Sequence, residues 1–403
     1  VLTNALGRPG AEPVLPVRLG SKARRAVRGA GGLPVVVDNP PDLAEAPVLD
    51  TDQVLQLARW ATAVAEQQGR PMDLEWALDG VTGEMWIVQA RPETVQSRAD
   101  RMVVRSVTVR ERGPVLVRGR AVGTDVAVGR VRVVERPGGR ADLAEGEVLV
   151  ARATDPDWVP LMRRAAAVVT DEGGGTSHAA IVSRELGLPA VLGCGDATSA
   201  LHDGTEVTVV CCDGPEGSVL RGAAEVDRRT ARLEGLPSTR TRIMLNVADP
   251  DAALRWWALP AAGFGLVRME FLVAERLGVH PMALVHPADV ESPEDLVRID
   301  ALVGGRGRGP DWFVEHLAAG LAELAAVASP GPAVVRLSDF KTDEYARLLG
   351  GSAFEPVESN PMLGWRGASR YADPAYRDGF ALECRAVRRA RTTLGQTNLA
   401  VMV

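Results

Sequence analysis

The sequence has almost no lysine, few cysteines and no long apolar run. Lys22 and Lys341 are the only lysines, and arginine supplies the rest of the 46 basic residues. An arginine at a given position is therefore weak evidence for a specific role, whereas a retained lysine is better evidence. The four cysteines have neither metal-binding spacing nor a disulfide pattern, which favours a reducing, cytoplasmic environment. Without a long apolar run, no bilayer-spanning helix is expected.

Length and charge narrow the class of protein further. A chain of 403 residues is long enough for about two to four domains, each with its own apolar core. The formal net charge of −6 supplies no basic surface for nucleic acid or for an anionic membrane. We therefore expect neither a nucleic-acid partner nor a membrane partner.

A glycine loop between a predicted strand and a predicted helix carries a histidine. Residues 165–169 form an apolar run typical of a buried strand, and residues 179–186 have the pattern of a helix that ends at Gly187. Between them, residues 173–175 are glycines, and His178 follows at the first turn of the helix. Glycines allow a ligand to approach the backbone closely, and the free N–H groups of a helix N-terminus suit a phosphate.

A histidine at this position is suited to nucleophilic chemistry. An unperturbed imidazole has a pKa of about 6.5, so at neutral pH it is mostly uncharged and can accept a phosphoryl group. We predict that His178 becomes phosphorylated, while Thr176, Ser177 and the loop amides hold the phosphoryl oxygens. The alternative is a capped helix whose histidine packs against the protein or faces water, because glycine loops before helices are common.

Polar side chains alternate along a predicted hairpin at residues 72–90. A register that pairs Glu75 with Gln89 places Asp73 opposite Arg91 on the same face. That face would present a carboxylate, an amide and a guanidinium, which together could hold Mg²⁺ and nucleotide phosphate. The alternative is a solvated polar face with a cross-strand ion pair, and the pattern alone favours it.

Two polar segments, residues 96–112 and 222–238, are expected to be linkers. The valine-rich region between them has short predicted strands and is expected to form a compact β/α domain that carries His178. Lys22 lies in a basic segment near the start of the chain. Its ammonium group is either a solvated surface charge or a contact to a polyphosphate.

Strands and helices alternate over the last third of the chain, which indicates βαβ units and a parallel sheet. Arg268 and Arg336 end two of the predicted strands, and Arg366 lies in a later loop. Because the C-termini of the strands of a β/α barrel share one face, these guanidinium groups could converge on a small dianion. The alternative is ordinary salt bridging in an arginine-rich protein. The predicted strands are residues 242–247, 263–267, 333–335 and 398–403.

Longer stretches around these residues resemble the phosphoenolpyruvate-utilising enzymes. The phosphohistidine signature of that family is similar to residues 174–191, which include His178. The hairpin that closes the ATP-grasp domain of the family's synthases resembles residues 73–76 together with 89–94. The family's phosphoenolpyruvate/pyruvate-binding barrel has signatures similar to residues 265–271, 334–341 and 360–367.

The resemblance implies a multidomain α/β protein with three parts. Residues 1–98 would be the C-terminal part of an ATP-grasp nucleotide-binding domain, and residues 106–222 a swivelling phosphohistidine domain. Residues 239–403 would be the N-terminal half of a (β/α)8 barrel that binds phosphoenolpyruvate or pyruvate. The family's glycine-rich ATP-covering loop does not occur in residues 1–50. We therefore expect a chain truncated at both ends, which works as a homodimer or with a complementing chain.

By the same resemblance, the chain is expected to act as a phosphotransferase of the pyruvate, water dikinase type. It would make phosphoenolpyruvate from pyruvate, ATP and water, with Mg²⁺ as cofactor. His178, assisted by Thr176 and Ser177, would carry the phosphoryl group between the outer domains. The expected roles of the other residues are substrate binding by Arg268, Arg336 and Arg366, nucleotide binding by Arg91 and Lys22, and Mg²⁺ binding by Glu75 and Gln89.

Other members of the family share parts of this pattern. Pyruvate, phosphate dikinase and the phosphotransfer-system enzyme share the histidine loop and the arginines, whereas a rifampicin-type phosphotransferase lacks the barrel. The hairpin at residues 75–94 argues against the phosphotransfer-system enzyme, and residues 339–341 favour the synthase over the dikinase. A catalytically incomplete fragment that serves only as a binding module is the remaining alternative.

Overall fold

The protein forms two compact units in the computed structural model. The first comprises Val1–Arg91 and Pro237–Val403, and the second comprises Pro92–Leu236. The structure describes residues 1–17, 19–20, 22–29, 31–93, 103–137, 143–175, 177–233, 236–237, 239–248, 250–257, 259–305 and 307–403, with the backbone alone for residues 105, 185, 251, 252 and 255.

The N-terminal part of the first unit contains short strand pairs and one long helix. The long helix begins after Asp50, whose side chain accepts a hydrogen bond from the Gln53 amide, and ends at Gly69 with a φ of 64°. A carboxylate cap and a left-handed glycine are the expected signals for the two ends of a helix. The elements are β1 (Arg24–Arg28), β2 (Pro34–Asp38), α1 (Pro41–Glu45), α2 (Thr51–Gln68), β3 (Met72–Leu78) and β4 (Met85–Pro92).

The second unit is built around a closed barrel of short strands. Its strands are β5 (Val103–Arg110), β6 (Val115–Val122), β7 (Val126–Val133), β8 (Val148–Ala151), β9 (Ala167–Thr170), β10 (Ala190–Leu192), β11 (Glu206–Val210), β12 (Glu216–Arg221) and β13 (Glu225–Arg232), and its helices are α3 (Val159–Met162), α4 (His178–Leu186) and α5 (Ala197–Ala200). Within the described residues, the barrel order is β10-β6-β12-β11-β7-β8-β9. Strands β8 and β9 are buried along their whole length, and their residues are apolar except for Thr170 at the end of β9.

The segments predicted as linkers are paired with each other where the structure describes them. Strand β5 runs antiparallel to β13, in a register that places Val109 opposite Val226. Val109 is buried, and Val107 and Val226 pack against the same small core. The linker prediction is therefore wrong for these residues, because alternating valines separated by more than a hundred positions find each other only in the folded chain.

The C-terminal part of the first unit is a parallel sheet with helices. Within the described residues, strands β14 (Leu245–Val247), β15 (Phe264–Arg268), β16 (Ala333–Arg336) and β17 (Leu399–Met402) lie side by side in that order. Every neighbouring pair is parallel, which confirms the prediction from the alternating pattern. The helices are α6 (Pro250–Trp256), α7 (Met269–Phe271), α8 (Pro281–Val285), α9 (Pro293–Val303), α10 (Gly309–Ala328), α11 (Thr342–Ala346), α12 (Ala368–Ala372) and α13 (Arg377–Thr392), with a π-helical segment at Leu272–Leu277.

Helix α10 supplies much of the core against this sheet. Phe313, Leu317, Leu321 and Leu324 are fully buried, at the three- and four-residue spacing of one helix face. No helix in the described parts of the chain is long and apolar enough to cross a membrane.

A buried ion pair anchors the loop between α11 and α12. Arg370 donates two hydrogen bonds of 2.5 Å to the carboxylate of Glu355, and both side chains are almost completely buried. His280 Nε2 lies 3.0 Å from the same carboxylate, and the Arg370 guanidinium lies 4.0 Å from the centre of the Trp365 ring. The pair therefore ties α12 to Glu355 near the middle of the loop that carries Arg366, and the ring contact ties α12 to Trp365 near the end of that loop.

Removal of the charge at Glu355 tests this anchor. Glu355→Gln keeps the shape of the side chain but leaves the buried Arg370 guanidinium without an anion, so the free energy of unfolding should fall by about 3–5 kcal/mol. Urea unfolding followed by tryptophan fluorescence measures the loss. Glu344→Gln is the matched control, because its pair with Lys341 is partly exposed and should contribute less than about 1 kcal/mol. Equal losses for the two variants would contradict the anchoring role.

Candidate functional site

The glycine loop and α4 have the predicted strand, loop and helix order. Strand β9 ends at Thr170, and α4 begins at His178. Gly173 has a φ of 112°, and a methyl group added there would lie 3.0 Å from Ser177 Oγ, so the position requires glycine. Helix α4 ends at Gly187 with a φ of 69°, as predicted.

Ser177 caps the helix that begins with His178. Its Oγ accepts a hydrogen bond from the Ala180 amide at 3.4 Å and donates one to the Gly174 carbonyl at 2.9 Å. The hydroxyl is thus occupied by the loop itself, and it would have to change partner to donate to a phosphoryl oxygen. Thr176, the other predicted phosphoryl ligand, lies outside the described residues.

The two ring nitrogens of His178 have different surroundings. Nδ1 lies 3.2 Å from the hydroxyl oxygen of Thr154, in the segment that follows β8. In the described part of the chain, Nε2 has no hydrogen-bond partner, and the ring is only half-buried. One nitrogen is therefore held by the protein and the other is available for chemistry.

Two arginines lie against the same loop. Arg184 donates a hydrogen bond of 2.7 Å to the Gly175 carbonyl. A methyl group added at Gly175 would lie 2.9 Å from Arg120 Nε, so the Arg120 side chain fills the space beside this glycine. Arg120 is exposed and forms no ion pair with any described residue. The loop therefore combines a helix N-terminus with positive charge, which suits an anion.

Sequence reasoning missed Thr154 and Arg120. Thr154 is 24 positions before His178, and Arg120 lies on β6 at the start of the barrel. Asp155, the residue after Thr154, caps a short 3-10 helix at Pro156–Trp158, since its Oδ1 accepts a hydrogen bond from the Asp157 amide at 2.9 Å. No periodic pattern in the sequence links these positions to the loop.

The predicted substrate arginines lie at the C-terminal edge of the parallel sheet. Arg268 and Arg336 end β15 and β16 and are paired in the strand register. Arg366 reaches the same edge through Asp339, whose carboxylate accepts hydrogen bonds of 2.9 and 2.7 Å from its guanidinium. Arg336 lies 3.7 Å from the same carboxylate, so Asp339 bridges the two arginines.

Carboxylates balance most of the positive charge at this edge. Glu270 forms an ion pair with Arg336 and accepts a hydrogen bond of 3.1 Å from the Asp339 amide. The second oxygen of Glu270 and Nε of Arg336 are buried without a hydrogen-bond partner among the described residues. Arg268 is exposed and has no ion-pair partner in the same part of the chain. The edge thus keeps one uncompensated guanidinium and two buried polar atoms that a ligand could satisfy.

The bridge between Asp339 and Arg366 shifts the pKa values of both groups. The hydrogen bonds from Arg366 hold the pKa of the Asp339 carboxyl below its ordinary value. Asp339 in turn raises the pKa of the Arg366 guanidinium. Both groups are therefore ionised across the physiological range.

The loop that carries Arg366 is shaped by Glu358. One oxygen of Glu358 accepts from Thr342 Oγ1 at 2.8 Å and the other accepts from the Trp365 amide at 2.9 Å. A methyl group added at Gly364 would lie within 2.0–2.4 Å of this carboxylate, so no larger residue fits without a shift of the loop. Lys341, which the sequence singled out, forms an ion pair of 2.8 Å with Glu344.

The predicted nucleotide-binding residues lie on exposed faces. Arg91 and Asp73 form an ion pair of 3.5 Å between β4 and β3, as the predicted register requires. Glu75 and Gln89 are exposed at the next positions on that face. Lys22 donates hydrogen bonds to the carbonyls of Leu43 and Ala46 at the end of α1, the first at 3.1 Å, so its ammonium group is bound within the protein. No group of three or more metal ligands occurs among the described residues.

Family models match three regions that together span most of the chain. Residues 6–111 match the pyruvate phosphate dikinase AMP/ATP-binding domain, residues 143–214 the mobile domain of PEP-utilising enzymes, and residues 223–403 their PEP-binding domain. Two of the three models describe domains of PEP-utilising enzymes, and together they match more than half of the chain. The chain belongs to the PEP-utilising enzymes.

Within that family the chain is similar to phosphoenolpyruvate synthases. It is 44% identical to the enzyme of Synechocystis and 45% identical to that of Deinococcus radiodurans, each over 98% of this chain and 50% of the relative. The Escherichia coli enzyme is 44% identical over 88% of this chain and 44% of its own length. The chain spans about half the length of the curated relatives it matches. An NMR structure of an Enzyme I protein matches 19% of this chain and 32% of its own length at 37% identity. Its TM-score of 0.17 is too low to support a statement about the fold.

The lowered pKa of Asp339 gives a test of its ion pair with Arg366. Because Arg366 lowers the folded pKa of Asp339, the pair should stabilise the protein above the ordinary aspartate pKa of about 3.9, and the effect should vanish as the pH falls through the lower, folded value. Arg366→Met should therefore cost up to about 1 kcal/mol at neutral pH and much less at an acid pH well below about 3.9. Urea unfolding at both pH values measures the difference.

The control for this test is Arg347→Met, which removes an exposed partner of Asp343. Its effect on the free energy of unfolding should be small at both pH values. A cost for Arg366→Met that is the same at neutral and acid pH would show that the guanidinium contributes by packing and not through Asp339.

Proposed function

We propose that the chain works as a phosphoryl carrier in phosphoenolpyruvate synthesis from pyruvate, ATP and water. The observation that carries the proposal is the half-buried imidazole of His178, with Nδ1 held by Thr154 and Nε2 available. The lone pair of Nε2 attacks the β-phosphorus of ATP, and the bond from this phosphorus to the AMP oxygen breaks, so that AMP leaves. Water then attacks the terminal phosphorus, the second phosphoanhydride bond breaks, inorganic phosphate leaves, and the remaining phosphoryl group is held on Nε2 as a phosphoramidate. The enolate oxygen of pyruvate then attacks this phosphorus, and the imidazole leaves.

We infer that the chain divides by function as its sequence suggests. Residues 1–98 act as the C-terminal part of an ATP-grasp domain, residues 106–222 as the swivelling phosphohistidine domain, and residues 239–403 as the first half of the substrate barrel. The order of the three matched family models and the parallel sheet at the end of the chain support this division.

In this scheme, positive charge lies at the places where phosphate oxygens would arrive. At the carrier loop, the α4 N-terminus, Arg120 and Arg184 neutralise the phosphoryl group. At the sheet edge, Arg268, Arg336 and Arg366 hold pyruvate and the incoming phosphoryl group. Catalysis at each end is then mostly alignment and charge neutralisation, as is usual for phosphoryl transfer.

The hairpin of β3 and β4 would bind the nucleotide and its Mg²⁺. Glu75 and Gln89 offer an exposed carboxylate and an amide oxygen on one face, beside Arg91. Mg²⁺ commonly takes one or two protein oxygens and completes its shell with substrate phosphates and water, so this pair fits a nucleotide-bound Mg²⁺. When bound, the ion would neutralise charge on the phosphates, and Arg91 would leave Asp73 to contact a phosphate oxygen. Lys22 would have to release its carbonyl partners to do the same.

A second candidate is the pyruvate, phosphate dikinase reaction. The match of residues 6–111 to the AMP/ATP-binding domain of pyruvate phosphate dikinase supports it. The two reactions differ in the second acceptor, which is water in one and inorganic phosphate in the other. A nucleotide-dependent reaction that proceeds without added phosphate favours the synthase.

The carrier role predicts acid-labile phosphate on His178. Incubation with phosphoenolpyruvate or ATP labelled in the transferred phosphate should label the wild-type chain, and His178→Ala should remove the label. His202→Ala is the matched control, because His202 is an exposed histidine of the same unit and should leave labelling unchanged. Label that survives in His178→Ala contradicts the carrier role. Uptake from neither donor by a folded sample favours the binding-module alternative.

The Thr154 hydroxyl predicts a second effect. Thr154→Val keeps the size of the side chain but removes the contact to Nδ1, so the ring should lose its alignment and phosphorylation should slow by about 10- to 100-fold. Thr154→Ser keeps the hydroxyl and should stay close to the wild-type rate. Rapid-quench measurement of label uptake gives the rates. Equal rates for the valine and serine variants would exclude an orienting role.

A further inference from the structure

Glu383 is a carboxylate with no exposure to solvent. It lies beneath the C-terminal edge of the parallel sheet, where the predicted substrate arginines are. It lies on α13, and one of its oxygens accepts a hydrogen bond of 3.3 Å from the Ser338 amide. The other oxygen accepts from the Ser338 hydroxyl and, at 3.1 Å, from the Tyr376 hydroxyl. A charged residue is rarely buried unless its oxygens are satisfied, and these donors satisfy it.

The same network holds every polar atom of Ser338. Its carbonyl accepts a hydrogen bond of 2.7 Å from the Tyr371 hydroxyl, while its amide and hydroxyl bind Glu383. Ser338 stands between Arg336 and Asp339, whose carboxylate bridges the substrate arginines. Displacement of Ser338 would therefore move the bridging carboxylate.

We propose that Glu383 is a positioning residue of the substrate site, which fixes Ser338 and thereby Asp339 when its carboxyl group is ionised. The inference rests on the proposed function in one respect, since that function makes this edge the binding site for pyruvate. Glu383 cannot touch substrate itself, because it is fully buried beneath the strand end.

The ionised form of Glu383 is the one that the network stabilises, because the groups that face the carboxylate donate hydrogen bonds to it. The Ser338 amide, the Ser338 hydroxyl and the Tyr376 hydroxyl all direct hydrogens towards it, so a protonated carboxyl would bring a further donor and break one of these bonds. Burial raises the pKa of Glu383 to about 7, so the change of state falls near neutrality. The titratable and charged groups around the network are Tyr345, Tyr371, Tyr376, His280, Glu270, Arg336, Asp339, Arg370 with its partner Glu355, and the neighbouring Cys384.

Pyruvate affinity provides the first measurement. Pyruvate is a suitable probe because its carboxyl group stays ionised between about pH 6 and about pH 8. Calorimetric titration should show wild-type affinity about fivefold weaker at the lower pH, whereas Glu383→Gln should bind weakly at both. The control Glu315→Gln makes the same chemical change at an exposed position of α10 and should follow the wild type. Wild-type affinity and pH dependence in Glu383→Gln would overturn the proposal.

A second measurement needs no ligand. The Nε–H group of Arg366 donates to Asp339 at 2.9 Å, so its ¹⁵N-correlated NMR signal reports the position of the bridge. The signal should titrate with a midpoint near 7 in the wild type and stay fixed in Glu383→Gln. If that variant does not fold, Tyr376→Phe removes one donor to the ionised form and should move the midpoint to higher pH.

The two measurements separate this inference from the proposed function. A titrating Arg366 signal without pyruvate binding supports the positioning role and contradicts a substrate role for this edge. Pyruvate binding with an Arg366 signal that does not titrate in the wild type, or that titrates unchanged in Tyr376→Phe, overturns the positioning role and leaves the substrate role intact.

Discussion

The contact between Thr154 and His178 is the interaction on which the account of this protein depends. A histidine at a helix N-terminus can turn either nitrogen towards a ligand, and the Thr154 hydroxyl, 3.2 Å from Nδ1, reserves one of them. The other nitrogen, Nε2, has no hydrogen-bond partner among the described residues, and Ser177 fixes the start of the helix. The ring is thus held in one orientation by the protein itself, so the proposed phosphoryl transfer would need little reorganisation.

At the C-terminal edge of the parallel sheet, ion pairs hold arginine side chains in place before any ligand binds. Two of its guanidinium groups already bind Asp339 and Glu270, which keeps them in place and limits the excess positive charge. Behind the edge lie two buried carboxylates, Glu355 and Glu383, each held by several donors. Such groups are costly to bury, so their complete hydrogen bonding fixes the strand end and the Arg366 loop in one arrangement.

The sequence predicted the parts of the structure that depend on local pattern. Valine runs marked the buried strands, and the glycine at position 187 marked the end of α4. The pairing of β5 with β13, the role of Thr154 and the bridge by Asp339 were missed, because each joins segments that have no sequence relation. Glu383 was also missed, since a buried carboxylate on an arginine-rich helix looks like a surface residue until its partners are known.

The most direct test of the central claim is the identity of the phosphorylated nitrogen. Correlation spectra of ¹⁵N-histidine-labelled protein, recorded after reaction with phosphoenolpyruvate, distinguish phosphorus on Nε2 from phosphorus on Nδ1. The account predicts that His178 is modified on Nε2, with Nδ1 still bonded to Thr154. Phosphorus on Nδ1, or on another residue, would contradict it.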